Sequence, residues 1–161
     1  MRVFGLELDR AHLVAIAEHA EHAYPREACG LVVGRPDRSE LVRVVPMSNV
    51  QDRHHQRDPV RFPLSAREAF RFDALEHLRV LEQIEAEGLV ERVLYHSHAD
   101  QGAYLSDADR AMAVPEGIEL LPGVAHLVVS VREGVRSDAA VFRFAKERGV
   151  FEEVRLPLER W

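Results

Sequence analysis

The chain contains a single cysteine, Cys29, among its 161 residues. One cysteine cannot form a disulfide within the chain, which agrees with folding in a reducing compartment. It also cannot supply the several thiolates of a structural zinc knuckle. Any metal site in this sequence therefore has to be built from histidine and carboxylate side chains.

Long apolar runs are missing as well. A membrane-spanning helix needs about 20 consecutive apolar residues, and the sequence has no such run. Residues 1–9 lack the apolar core and the small-residue cleavage site of a secretory signal. We therefore expect a cytoplasmic protein that has no membrane partner.

Basic residues do not form blocks in this sequence. The net charge is −6, and arginines are interleaved with acidic residues, whereas a nucleic-acid-binding protein usually carries a clustered basic face. Nucleic acid is therefore not an expected partner. Hydrophobic residues make up 47% of the chain and charged residues 30%, which is a globular composition. The length is sufficient for one domain with a buried core, so we expect a single domain over residues 1–161.

Two segments have the periodicity of helices. The first is predicted over residues 10–23, with Asp9 as its N-cap residue. Its apolar positions are Leu13, Ile16, Ala17 and Ala20. The second is predicted to begin after Asp73, which matches a capping box with Glu76, and to end at Gly88. Its buried face is expected to consist of Leu75, Leu78, Leu81 and Ile84.

Several segments rich in apolar and β-branched residues are predicted to be strands. They are residues 3–8, 31–33, 40–45, 89–95, 125–131, 139–144 and 151–158. A turn signal separates the second from the third, which predicts a hairpin. The fourth is expected in the middle of the sheet, and the first and last at its edges. Because strands and helices alternate irregularly, the pattern favours a mixed α/β (α+β) fold, in which helices flank a mixed β-sheet, over a doubly wound parallel sheet.

The region before the second helix has a weaker pattern. Residues 48–64 are polar, contain two prolines and lack periodicity, which predicts a mobile loop. Phe70 and Phe72 are assigned to a short strand. Ser65 and Glu68 also match a capping box, so the sequence leaves a second possible start for the helix.

The most informative stretch begins at His96 and ends at Asp109. His96 and His98 are two residues apart on a predicted strand, so their side chains project from the same face and can reach one metal ion. Asp109 supplies a carboxylate if the intervening loop folds back. Two histidines and one carboxylate leave a fourth position for water, which is typical of a catalytic zinc site rather than a structural one.

A structural interpretation of the same residues stays open on spacing alone. The chain has nine histidines, and the neighbours His54 and His55, to which we assign no role, show that two close histidines are not unusual here. Ser106 and Asp109 also match the N-cap residue and the third residue of a helix.

The complete pattern of two histidines, Ser106 and Asp109 resembles the JAMM motif of the MPN+ metalloproteases. Residues 24–34 resemble the upstream segment of that family, with Glu27 at the position of its glutamate. The resemblance covers nearly the whole chain. It implies a single-domain MPN/JAMM fold, layered as in cytidine deaminases, and a Zn²⁺ ion bound by His96, His98 and Asp109.

The resemblance also implies roles for the remaining residues. Glu27 would act as the general base, and Ser106 would stabilise the oxyanion. Cys29 is expected to be a buried small residue and not a nucleophile, and Ser97 is expected to pack on the opposite face of the strand.

The implied partner is a ubiquitin-like or sulfur-carrier protein with a C-terminal Gly-Gly. The implied reaction is hydrolysis of the peptide or isopeptide bond after this Gly-Gly. Residues 70–73 and 103–106 are similar to a prokaryotic subgroup that releases cysteine from such a carrier.

Two other functions are compatible with the resemblance. One is a catalytically silent MPN scaffold that only binds other proteins, although such relatives usually lack one or more ligands. The other is a DNA-repair-associated protein with similar motif spacing, which the acidic charge and the setting of Glu27 disfavour. Exposed edge strands would permit a homodimer, and residues 48–64 are a candidate flap over the substrate.

Overall fold

The computed structural model describes residues 1–161, with the exception of the Arg160 side chain. The first strands in the chain are β1 (Arg2–Val3) and β2 (Leu6–Glu7), which pair with each other in an antiparallel hairpin. The other strands are β3 (Cys29–Gly34), β4 (Leu41–Met47), β5 (Val90–Ala99), β6 (Ala125–Arg132), β7 (Val135–Ala145) and β8 (Val150–Arg155). They form one mixed sheet in the order β4-β3-β5-β6-β7-β8.

Strand β5 lies inside this sheet, where it pairs antiparallel with β3 and parallel with β6. The mixed sheet, the hairpin of residues 31–33 and 40–45, the central position of β5 and the edge strand β8 are thus confirmed. The single strand predicted over residues 3–8 is wrong. Phe4 and Gly5 have φ angles of 51° and 79°, and they turn the chain back between β1 and β2.

The helices flank both faces of the sheet. They are α1 (Arg10–Ala23), α2 (Gln51–Arg57), α3 (Ala74–Ala86) and α4 (Asp107–Ala113), with short 3-10 turns at Pro115–Gly117 and Leu158–Arg160. The predicted bounds of α1 are confirmed, and its predicted apolar positions are all buried. Each larger apolar side chain buried in this way contributes about 1.5–3 kcal/mol. None of the helices in the described part of the chain has the length and hydrophobicity of a membrane-spanning segment.

Successive residues of β5 face different cores. Val93 and Tyr95 belong to the core beneath α1, whereas Leu94 belongs to the core beneath α3. Because side chains alternate along a strand, His96 and His98 continue the Leu94 series. They therefore project from the face of the sheet that α1 does not cover.

The boundaries of α3 are confirmed, but its predicted buried face is correct only for Leu81 and Ile84. The Asp73 carboxylate accepts two backbone N–H groups of the first turn, and Gly88 follows the helix with a φ of 70°. Leu75 and Leu78 are 56% and 51% exposed, whereas Ile84 is buried. A helix turns by about 100° per residue, so Leu75 and Ile84 point about 180° apart. The packed stripe consists of His77, Val80, Leu81 and Ile84.

The loop predicted over residues 48–64 is wrong in part, because α2 lies within it. Polar contacts hold this helix: Gln51 Nε2 donates to the Leu64 carbonyl oxygen at 2.8 Å, and Asp52 Oδ1 accepts the Ala66 N–H at 2.7 Å. A short helix stabilised by such contacts has no apolar stripe. The hydrophobic periodicity on which the prediction depends is therefore missing.

Gly30 of β3 lies against the ring of Tyr95. A Cβ atom at position 30 would lie 2.4 Å from the Tyr95 hydroxyl oxygen and 2.5 Å from two ring carbons. Tyr95 is fully buried, so close packing keeps its ring in place. We expect Gly30→Ala to lower the free energy of unfolding by about 1–3 kcal/mol in urea denaturation. Gly102→Ala is the control, since the nearest atom there is 3.8 Å away; equal stability of the two variants would contradict this account.

Candidate metal centre

Two imidazoles meet on the sheet face that α1 does not cover. His96 and His98 alternate with Ser97 along β5, so both rings project from the same face. Their Nε2 atoms lie 3.2 Å apart, and both side chains are almost completely buried. The strand thus presents two nitrogen atoms to one point in space.

A carboxylate joins the pair from α4. Asp109 Oδ2 lies 3.1 Å from His96 Nε2 and 3.3 Å from His98 Nε2. A capping box sets its position, because the Ser106 hydroxyl oxygen accepts the Asp109 N–H and the Ser106 N–H donates to Asp109 Oδ2. The helix cap and the contact with the imidazoles are therefore made by the same residues, and the two interpretations of Ser106 and Asp109 do not compete.

The geometry of these three side chains fits a metal ion. Tetrahedral zinc ligands at about 2.0–2.2 Å from the ion lie roughly 3.3–3.5 Å from one another, close to the separations of the three atoms. His98 Nδ1 lies 2.9 Å from the Gly102 carbonyl oxygen. A carbonyl only accepts, so Nδ1 carries the proton and Nε2 directs its lone pair to the centre. The His96 ring stacks on Phe70, with 4.6 Å between the centroids.

Glu27 lies beside this cluster. Cys29 is opposite His96 in the pairing of β3 with β5, and the same register continued by two residues places Glu27 opposite His98. Single ligand atoms of Glu27, His96 and His98 all lie within 4.8 Å of one another. Asp109 is within hydrogen-bond distance of both imidazoles, and the described structure shows no such contact for Glu27. The distances therefore favour Asp109 as the third ligand, with Glu27 next to the centre.

The electrostatics of the cluster also fit a cation. Burial, and then the charges of Asp109 and Glu68, raise the pKa of Glu27 to about 9. Burial also raises the pKa of Asp109, but the charge of His96, the two imidazoles beside the carboxylate and a backbone N–H outweigh it and hold that pKa well below its usual range. Glu27 Oε1 is buried without a hydrogen-bond partner among the described residues. A divalent cation would balance the two buried carboxylates.

Cys29 and Ser97 have the expected positions. Cys29 is fully buried, and burial, followed by the charges of Glu76 and Glu27, raises the pKa of its thiol to about 12. This disfavours the thiolate that a nucleophile requires. Ser97 alternates with the two imidazoles, and its Oγ accepts the Ala28 N–H at 2.8 Å. The sequence-based assignment of Ser97 to packing misses this hydrogen bond.

Two grooves include residues of this region. One, of about 380 Å³, is lined by Glu27 and Asn49 among others. The second, of about 450 Å³, includes His96 and Asp109 and is otherwise largely apolar. Its apolar lining includes Phe70, Phe72, Leu94, Met112, Leu120 and Leu121. The second groove contains two of the three candidate ligands, so a peptide that reaches the centre through it would contact its apolar lining.

His126 of β6 lines the second groove, and sequence analysis does not identify it. It lies opposite Leu94, on the same sheet face as His96. The residue is 8% exposed. Burial, and then the charge of His96, lower its pKa to about 4. Its only signal in the sequence is that it is, with Ser130, one of two polar residues among the mostly apolar residues 125–131.

Comparison with known proteins shows the family. Residues 9–144 match the family of prokaryotic homologs of the JAB domain. The chain belongs to this family. The expected JAB/MPN membership is thereby confirmed, whereas the roles of Glu27, His96, His98, Ser106 and Asp109 remain predictions.

This JAB-domain protein is similar to two relatives that are named as peptidases. It is 31% identical over 135 residues to the CysO-cysteine peptidase of Mycobacterium tuberculosis, an alignment that covers 83% of this chain and 80% of the relative. It is 33% identical over 133 residues to a probable TtuB-protein conjugate cleaving protease of Thermus thermophilus, with 71% of this chain and 75% of the relative covered.

Solved structures confirm the fold of the JAB-domain protein. A protein from Desulfitobacterium hafniense has a TM-score of 0.66 and 24% identity, and the match covers 91% of this chain and 87% of that one. A JAB1/MPN domain protein from Archaeoglobus fulgidus has a TM-score of 0.52 and 17% identity, with coverage of 94% and 96%. The expected MPN fold is therefore correct.

The three candidate ligands predict about one zinc ion per chain. We expect the purified JAB-domain protein to contain this zinc in elemental analysis, and zinc added after chelation to raise its Tm, because an ion that binds the folded state stabilises it. His96→Ala should lose both the zinc and the rise in Tm. His54→Ala, which alters a histidine of α2 outside the cluster, should keep both. Full zinc retention by His96→Ala would show that the ligand assignment is wrong.

Proposed function

We propose that this JAB-domain protein is a zinc-dependent peptidase that hydrolyses the bond after the C-terminal Gly-Gly of a ubiquitin-like sulfur-carrier protein. The observation that carries the proposal is the buried cluster of His96, His98 and Asp109 with Glu27 beside it. Two imidazoles and one carboxylate leave a coordination position open, as in hydrolytic zinc sites.

Glu27 is the proposed general base. A bound zinc ion would lower the pKa of a coordinated water and polarise the scissile carbonyl. Glu27 accepts a proton from the attacking water and passes it to the leaving amine. Burial raises the pKa of Glu27 to about 9, and the charge of a bound zinc ion would lower it again. The ionised carboxylate could then receive the proton on its buried Oε1, which has no hydrogen-bond partner among the described residues.

Ser106 is the proposed oxyanion partner. Its Oγ accepts the Asp109 N–H at 3.1 Å, which leaves the hydroxyl proton available for another acceptor. We assign this proton to the oxygen of the scissile carbonyl, where negative charge develops as water attacks. The same hydroxyl caps α4, so Ser106 also holds Asp109 in place.

The relatives support a carrier protein as substrate. Their names refer to CysO-cysteine and to TtuB-protein conjugates. An extended tail can bind through main-chain hydrogen bonds, and two glycines carry no side chains that would collide with the walls of the centre. The net charge of −6 disfavours nucleic acid as a substrate.

The base assignment predicts the behaviour of Glu27→Gln. On a carrier that carries a cysteine after its Gly-Gly, kcat should fall by about 10²–10⁴-fold because general base catalysis is lost. The zinc content should stay unchanged, since Asp109 and not Glu27 is the third ligand. Mass spectrometry of the shortened carrier measures the rate.

Glu147→Gln is the matched control, because Glu147 is exposed in the turn after β7 and should not affect the rate. Wild-type activity of Glu27→Gln would refute the assignment of the base. If the zinc-bound wild type cleaves neither the cysteine adduct nor a lysine isopeptide of the carrier, the protein is a scaffold and the proposed function is wrong.

A further inference from the structure

Few contacts of its own side chain hold the Glu27 carboxylate in place. Glu27 lies in the connection between α1 and β3, outside any regular element. Its Oε1 atom has no hydrogen-bond partner among the described residues, so this end of the side chain does not fix the carboxylate. The position of the carboxylate therefore depends on how firmly the surrounding backbone is held.

Three hydrogen bonds hold this backbone. The Glu27 N–H donates to the Ala66 carbonyl oxygen at 2.7 Å, and the Glu27 carbonyl oxygen accepts from Asn49 Nδ2 at 2.9 Å. The next N–H, of Ala28, donates to Ser97 Oγ at 2.8 Å. Both peptide groups that flank the Glu27 Cα atom are thus fixed, two of the three bonds coming from side chains.

Asn49 makes four hydrogen bonds through its amide. Nδ2 donates to the carbonyl oxygens of Glu27 and Ala69, the latter at 3.1 Å, and Oδ1 accepts the N–H groups of Gln51 and Arg71 at 3.0 and 3.1 Å. Only one orientation of the amide satisfies two donors and two acceptors in this way. The Asn49 side chain therefore connects Glu27 to α2 and to residues 69–71. Two of these, Phe70 and Arg71, line the second groove, which includes His96 and Asp109.

Ser97 connects Glu27 to the metal-binding strand. It lies between His96 and His98 on β5 and is 2% exposed. The Ser97 hydroxyl oxygen accepts the Ala28 N–H, and the Ser97 N–H donates to the Ala28 carbonyl oxygen at 3.0 Å. The N–H and the carbonyl group of Ala28 are thus both bound to Ser97, the residue between the two histidines. A shift of the backbone at Glu27 and Ala28 would therefore displace this part of β5, and the reverse.

We propose that Asn49 and Ser97 are positioning residues that hold the Glu27 carboxylate at the distance from the metal centre that proton transfer requires. This inference rests on the proposed function, in which Glu27 is the base. Neither side chain acts on the substrate; each acts through the backbone of Glu27. Small errors in such placement are costly, since a shift of about 1 Å can reduce a rate by about 100-fold.

Ser97→Ala tests the first residue. Removal of the hydroxyl frees the Ala28 N–H, so the Glu27 carboxylate is held less firmly and we expect kcat to fall by about 10- to 100-fold. KM should change by less than about twofold, because Glu27 takes part in proton transfer and not in substrate binding. Ser97→Thr keeps a hydroxyl and should recover most of the rate. Zinc content and Tm are measured on each variant.

Asn49→Asp tests the second residue with a side chain of nearly the same shape. The carboxylate can still accept the N–H groups of Gln51 and Arg71, but it cannot donate to Glu27. As for Ser97→Ala, we expect kcat to fall while KM stays nearly unchanged and zinc is retained. Val141→Ala is the control for stability: Val141 is buried in the core beneath α1, so this variant should lower Tm and leave kcat unchanged.

A double-mutant comparison distinguishes positioning from general support of the fold. In the Glu27→Gln background the base is already absent, so adding Ser97→Ala should not lower the residual rate further. A further 10-fold loss in that background would show that Ser97 acts independently of Glu27 and would overturn the inference. Unchanged kcat per bound zinc in both Ser97→Ala and Asn49→Asp would overturn it as well. Neither result affects the assignment of Glu27 itself, which depends on Glu27→Gln alone.

Discussion

The antiparallel pairing of β5 with β3 determines the geometry of the centre. Cys29 lies opposite His96, and the continued register puts Glu27 opposite His98. A shift of one residue would turn Glu27 to the other face of the sheet, because side chains alternate along strands. The register is secured by buried residues on both faces, which belong to separate cores beneath α1 and α3. The hydrophobic packing of the sheet therefore also places the polar groups of the site.

Charge determines what this geometry can hold. Two carboxylates and two imidazoles are buried together, and the three closest atoms lie 3.1–3.3 Å from one another. Burial of unpaired charge is expensive, so a cation would stabilise this arrangement. The capping box of Ser106 and Asp109 has two effects, because it begins α4 and also directs the Asp109 carboxylate to the imidazoles. Glu27 differs, because backbone contacts hold it while its buried Oε1 lacks a partner among the described residues.

Features with a local signal could be predicted from the sequence. Helix α1 has its apolar residues at helical spacing, α3 has its cap at Asp73, and His96 and His98 have the alternation of a strand. Features that depend on distant contacts could not. The helix α2 is held by Gln51 and Asp52 through partners many residues away. The spacing of Leu75 and Leu78 did not show which side of α3 meets the sheet. Asn49 lies in a polar segment without a pattern, so its contact with Glu27 could be seen only in the folded chain.

The most direct test of the account is the anomalous scattering of a crystal of the purified protein, measured on both sides of the zinc absorption edge. We expect one zinc peak bonded to His96 Nε2, His98 Nε2 and Asp109 Oδ2, with both Glu27 carboxylate oxygens outside bonding distance. A zinc ion bonded to Glu27 in place of Asp109 would contradict the assignment of the base, and a fully occupied zinc site elsewhere in the chain would contradict the centre itself.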